Sequence, residues 1–116
     1  MVQLQRPVRT AAVKHKEWRI MMNEHESDVE RHFTILAKEY GCLTYKWPAQ
    51  YHKGLPDRIL ICPNGHIWFV EIKKTGGVLS EMQKHVHDIL RNHTASVATL
   101  YGKGDVNGFF ENLPPA

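Results

Sequence analysis

Asp57, Glu71 and Lys73 are the residues of this 116-residue chain whose types and spacing could do chemistry together. Glu71 and Lys73 stand two apart in the run Ile67-Trp68-Phe69-Val70-Glu71-Ile72-Lys73. On a strand they project from one face, while Trp68, Val70 and Ile72 fill the other. An acid and a base at the end of a largely apolar strand are costly unless they have partners or work to do. Asp57 opens the preceding strand-like run, and hairpin pairing can bring it beside Glu71, although sequence alone leaves the register open. Two close carboxylates repel. A hard divalent cation such as Mg²⁺ or Mn²⁺ resolves that repulsion, taking oxygen ligands while keeping waters and phosphate oxygens. The carbonyl of Ile72 can point at the same ion. Lys73 can then contact a scissile phosphate, orient an attacking water and stabilise developing negative charge. Those are the components of phosphodiester hydrolysis. The competing reading is an ordinary surface pair, Glu71–Lys73, with Asp57 ending a Pro-containing turn; the surrounding pattern argues against it.

The elements that must position these residues are legible from periodicity. Val29, Phe33, Leu36, Ala37 and Tyr40 recur at three- and four-residue spacing from Glu26 onward, and Gly41 ends the helix. Cys42–Trp47 reads as a first strand, Pro48–Gly54 as a loop and Asp57–Cys62 as a second strand. Pro63-Asn64-Gly65 supplies a tight hairpin turn, Asn-Gly tolerating the positive φ it demands, and His66–Lys73 returns as the third strand. Gly76-Gly77 breaks the chain before a second helix from Ser80, with Met82, Val86, Ile89 and Leu90 as its expected buried stripe. Ala95–Tyr101 reads as the last strand, followed by a short C-terminal turn. The order α-β-β-β-α-β, without repeats, predicts an α/β fold with a mixed sheet flanked by helices.

At this point the sequence resembles a known family. Gly54-Leu55-Pro56-Asp57, then Glu71-Ile72-Lys73, then Leu79-Ser80 and Gln83, resembles the VRR-NUC branch of the PD-(D/E)XK nucleases, with Asp57 fourteen residues before Glu71. The run from Glu71 to Gln83 is particularly similar to short stand-alone members encoded by bacteriophages. The motifs span roughly residues 26–101 of the chain. The resemblance implies a restriction-endonuclease-like core and metal-dependent cleavage of DNA. In it Asp57 and Glu71 are metal ligands and Lys73 is the catalytic lysine. It also implies a glutamate on the first helix: Glu30 fits by likeness to archaeal Holliday-junction resolvases, Glu26 by likeness to many VRR-NUC members. The two are four residues apart and share one edge of the helix. Gln83 is placed near the active site by the resemblance, whereas Ser80-Glu81-Met82-Gln83 also matches a capping box. The resemblance further implies a homodimer, as relatives without attached domains look to be, and with it a Holliday-junction resolvase or flap-type endonuclease acting on branched DNA. An inactive or regulatory nucleic-acid-binding module on the same fold is the alternative, against which intact Asp57, Glu71 and Lys73 argue.

Composition bounds the rest. One domain of this size has a single core, and 42% apolar with 23% charged residues is ordinary for a globular protein. No apolar run approaches the roughly 20 residues needed to cross a bilayer, and the N-terminus lacks the apolar core of a secretory signal. The expectation is a cytoplasmic protein without membrane contact, in a bacterial host if phage-encoded. Cys42 and Cys62 are the only cysteines, with no C-x-x-C pair, and are expected as buried thiols. His85 and His87 would point to different sides of their helix, so a histidine-based metal centre is not expected. Residues 1–25 hold Arg6, Arg9, Lys14, Lys16 and Arg19 against Glu17 and Glu24, so they carry the whole net charge of +3. That division gives a basic N-terminal segment, 1–25, with packing or DNA-contacting roles, and a nuclease domain, 26–116. Lys53, Arg58, Lys74 and Lys84 flank the proposed centre and could hold phosphates.

Overall fold

The computed structural model describes residues 24–48 and 53–114. Most of the expected loop from Pro48 to Gly54, and nearly all of the basic N-terminal segment, lie outside the described residues. The elements are α1 (Glu26–Glu39), β1 (Leu43–Lys46), β2 (Arg58–Ile61), β3 (Ile67–Lys73), α2 (Glu81–Asn92), β4 (Ser96–Tyr101) and α3 (Gly102–Glu111). The strands form one sheet in the order β1-β2-β3-β4, antiparallel up to β3 and parallel between β3 and β4. The parallel pair is what the β3–α2–β4 crossover requires. The mixed sheet flanked by helices is thus the architecture that the element order predicts.

The apolar face of the sheet is the one read from β3. Trp68, Val70 and Ile72 join Leu60 of β2 and Ala98 and Leu100 of β4 in one core with Val29, Phe33 and Ala37 of α1. The sequence reading differs at the C-terminus, where a short turn is instead a ten-residue helix, α3. Gly102, Gly104 and Gly108 lower its intrinsic propensity. Burial overrides that: Val106, Phe109 and Phe110 face the core, Phe110 against Phe33 at 5.2 Å between ring centres and Phe109 edge-on to Trp68 at 5.1 Å.

The β2–β3 hairpin sets the register on which everything else depends. Gly65 N–H donates to Cys62 O at 2.8 Å, and Cys62 N–H to His66 O at 2.9 Å. Gly65 has a φ of +86°, and Asn64 is not among the residues with positive φ. The turn is therefore type I over Pro63-Asn64 followed by a left-handed glycine, and only the glycine carries the positive φ. Arg58 pairs with Val70. One step beyond the strand, the same register sets Asp57 opposite Glu71.

Candidate active site

Side chains alternate across β3, so Glu71 and Lys73 occupy the face opposite the apolar core, and α2 packs over that face. Glu71 is only 2% exposed. This excludes the surface-pair reading. Burial first, and then the neighbouring Asp57, push its carboxyl up to about 8. Asp57 is also raised, by burial and then by the charge of Glu30. The two carboxyls are close enough to share a side-chain hydrogen bond. Lys73 draws both in the opposite direction. Its ammonium nevertheless forms no ion pair within 4.0 Å among the described residues, so it is a neighbour of the carboxylates rather than their fixed partner.

Gly54 explains how Asp57 is delivered. Its φ is +83°, and a Cβ there would lie 2.7 Å from Val86 Cγ2 and 2.9 Å from the backbone oxygen of Met82. The Gly54-Leu55-Pro56-Asp57 segment thus lies directly against α2. That helix starts as its sequence demands: Gln83 N–H donates to Ser80 Oγ at 3.1 Å, and Ser80 N–H donates to Gln83 Oε1 at 2.8 Å. The capping-box reading of Gln83 is realised. The expected stripe of α2 is realised only in part, Val86 and Leu90 being half-buried. Met82 and Ile89 are 53% and 43% exposed, and the one fully buried residue of the helix is His87. The reason is local: the sheet surface under α2 carries Glu71, so the helix turns a polar residue toward it. His85 is exposed, as the two-residue spacing requires.

Both helix glutamates bear on the centre, through different partners. Glu26 contributes to raising Glu71, and Glu30 contributes to raising Asp57. Glu30 is held by Lys46 at 3.0 Å and by Arg58 at 3.7 Å. Arg58 lies on the α1 side, its guanidinium 6.0 Å from the centre of the Phe33 ring and donating to Thr44 Oγ1 at 3.3 Å. The structure therefore gives Arg58 an ion-pairing place rather than an open phosphate-binding one. Lys53 and Lys74 are exposed, and Lys84 pairs with Glu81 at 3.1 Å on the surface of α2.

Sequence reasoning missed Lys46, Glu24 and the environment of His87. Glu24 accepts hydrogen bonds from Thr75 N–H at 3.1 Å, Thr75 Oγ1–H at 2.9 Å and Lys103 N–H at 3.3 Å. It ties the chain entering α1 to the loop that follows Lys73 and to the start of α3. No sequence pattern marks that contact. Cys42 and Cys62 are buried free thiols, as expected. No group of three or more His, Cys, Asp or Glu among the described residues forms a ready metal cage. No helix among them is long and apolar enough to cross a membrane.

The class is that of an α/β domain built on a mixed four-stranded sheet, and the same fold occurs in a solved structure titled "VRR_NUC domain". The two align with a TM-score of 0.68 and 25% identity, over 77% of this chain and 97% of that one. The VRR-NUC domain family matches residues 2–104. The chain belongs to the VRR-NUC family of nuclease domains. That match extends further toward the N-terminus than the motifs themselves. A phage protein named "Putative nuclease p44", from Acyrthosiphon pisum secondary endosymbiont phage 1, is 34% identical over 62 residues, covering 53% of this chain and 67% of that protein.

Proposed function

We propose that this protein is a Mg²⁺- or Mn²⁺-dependent DNA endonuclease, with Asp57 and Glu71 as metal ligands and Lys73 as the catalytic lysine. The observation that carries the reading is the hairpin register that sets Asp57 opposite the buried Glu71, with Lys73 on the same face and in no ion pair within 4.0 Å among the described residues. The donor set fits a hard cation. It is all oxygen, Glu71 Oε1 is buried without a hydrogen-bond partner, and two protein carboxylates are what an ion retaining its waters requires. A bound Mg²⁺ or Mn²⁺ supplies Lewis acidity toward the phosphodiester and acidifies the attacking water.

The chain's own groups do the rest. Asp57 and Glu71 would hold the cation in their ionised form, having lost their protons to solvent, with the Ile72 carbonyl as a further oxygen ligand. Lys73 stabilises the charge that develops on the phosphate. Of the helix carboxylates, Glu26 is the better third ligand, because Glu30 is already engaged by Lys46 and Arg58. Gln83, whose oxygen is held in the cap, retains its amide nitrogen as a donor to substrate. Lys53, Lys74 and Lys84 offer phosphate contacts, and the basic segment 1–25 adds to them. The finer reading is a homodimer cutting branched DNA of Holliday-junction or flap type in the bacterial cytoplasm. It rests on the resemblance and on the basic charge.

Asp57→Asn and Glu71→Gln test the centre, because each amide removes charge at constant volume. Both should abolish cleavage of end-labelled four-way, flap, splayed and linear DNAs while leaving the melting temperature at or above that of the wild type. Near-wild-type cutting by either variant in Mg²⁺ rejects the assignment. Wild-type protein that binds these DNAs and cuts none of them with either metal would instead be a binding module.

A further inference from the structure

Behind Glu71 lies a group of buried polar side chains that the proposed chemistry does not use. His87 is fully buried, and neither ring nitrogen has a hydrogen-bond partner. Its Nε2 lies 4.0 Å from Glu71 Oε1, which is itself buried and without a partner. Thr99 stands opposite Glu71 in the β3–β4 register, and its Oγ1 is also buried and unbonded. Three neighbouring side chains of the sheet–α2 interface thus carry buried polar atoms unmatched in this state. Buried polar atoms are normally satisfied, and each exception needs a reason. An aliphatic residue at position 87 would pack under α2 without that cost.

We propose that His87 is a positioning residue that orients the Glu71 carboxylate for cation binding, with Thr99 as a second donor on the same face. The inference rests on the reading of Glu71 as a metal ligand. An imidazole N–H directed at Oε1 fixes the carboxylate's rotation about its terminal torsion, which is otherwise broad. Hydrogen-bond contact requires the 4.0 Å separation to close by about 1 Å, a shift within the sweep of a carboxylate oxygen about that torsion. The ionised carboxylate is an acceptor only, so the bond strengthens in the state that binds a cation. Outer partners that orient a ligating carboxylate in this way typically contribute about 10- to 100-fold in metal affinity.

The test compares His87→Leu with His87→Gln, each assayed by calorimetric Mn²⁺ titration, thermal melting without metal and single-turnover DNA cleavage. His87→Leu should fold with a melting temperature at or above that of the wild type, since it removes unmatched polar atoms. It should bind Mn²⁺ about 10- to 100-fold more weakly and lose kcat with little change in KM for DNA. His87→Gln keeps an N–H donor and should recover most of the Mn²⁺ affinity. Should the leucine variant not fold, His87→Met against His87→Gln gives the same comparison with a more adaptable side chain. Wild-type Mn²⁺ affinity in the apolar variant, or equal losses in the apolar and glutamine variants, overturns the proposal. Glu71→Gln separates the two levels. If it loses Mn²⁺ and His87→Leu does not, the positioning role alone fails. If Glu71→Gln itself binds Mn²⁺ normally, the metal-ligand reading falls first.

Discussion

Lys73 is the residue at which a catalyst can be told apart from a scaffold. It lowers the pKa of both carboxyls yet pairs with neither within 4.0 Å among the described residues. A structural cation would tolerate Arg, which keeps the charge and adds donors. A catalytic lysine is a compact point charge that must sit close to one phosphate oxygen and the attacking water. The broader guanidinium displaces that charge, and a misplacement of about 1 Å costs on the order of a hundredfold in rate. Lys73→Arg and Lys73→Ala should therefore both lose nearly all single-turnover cleavage, with Mn²⁺ binding and melting temperature little changed. Recovery of activity by Arg to within a few-fold of wild type would make Lys73 a mere charge partner. That Asp57, Glu71 and Lys73 come together was legible in the sequence because strand alternation and hairpin pairing are local rules. The partners of Glu30 were not, because Lys46 and Arg58 meet it only once α1 has docked on the sheet. His87 was equally hidden: its burial depends on what the sheet presents beneath α2.

Elements that close locally were read well, and those that depend on packing were not. α1, the four strands and the start of α2 carry periodicity, turn residues and a capping box in their own sequence. α3 does not, since three glycines speak against a helix that only its core contacts stabilise. The stripe of α2 was misassigned at Met82 and Ile89, where apolar residues were presumed to face inward. Met82 instead lies over Gly54, and that contact yields a prediction. Gly54→Ala must accommodate a φ of +83° and a Cβ 2.9 Å from the backbone oxygen of Met82. Strain of this kind costs about 1–3 kcal/mol, and it falls three residues before Asp57. The variant should melt lower and lose cleavage through a displaced carboxylate. Gly65→Ala is the control: its φ is also positive, at +86°, but nothing lies within 4 Å of the added Cβ. It should be destabilised without a comparable loss of turnover per folded molecule. Equal catalytic losses in both would mean that the Gly54–α2 contact does not position Asp57.

At the scale of the whole molecule, the sheet separates an apolar face, which holds the core, from a face that buries ionisable groups under α2. The second face should make global stability depend on pH in a defined direction. Glu71 has a carboxyl raised from 4.5 to about 8 in the fold. Between those values the folded chain holds a proton that the unfolded chain has lost. Stability from this group is therefore full below the unfolded pKa and falls as pH rises through about 8. Asp57, also raised, adds the same sign. His87 has the opposite one: its pKa is lowered from 6.5 to about 4, first by burial and then by Arg91, so its neutral form stabilises the fold less as pH drops below 6.5. Above pH 6.5 that contribution is flat, and the carboxyl pair dominates the difference between the two shifts. The metal-free melting temperature should decline from pH 6.5 to about 9, and Glu71→Gln should flatten the decline. In the proposed function Mn²⁺ takes the deprotonated ligand, so it should raise the melting temperature more at the upper end of that window than at the lower. Its binding near neutral pH should release a proton, detectable by calorimetry in buffers of different ionisation enthalpy. A melting temperature that rises through this window without metal, or a Mn²⁺ effect independent of pH, would remove the Asp57–Glu71 pair as the proposed ion-binding centre.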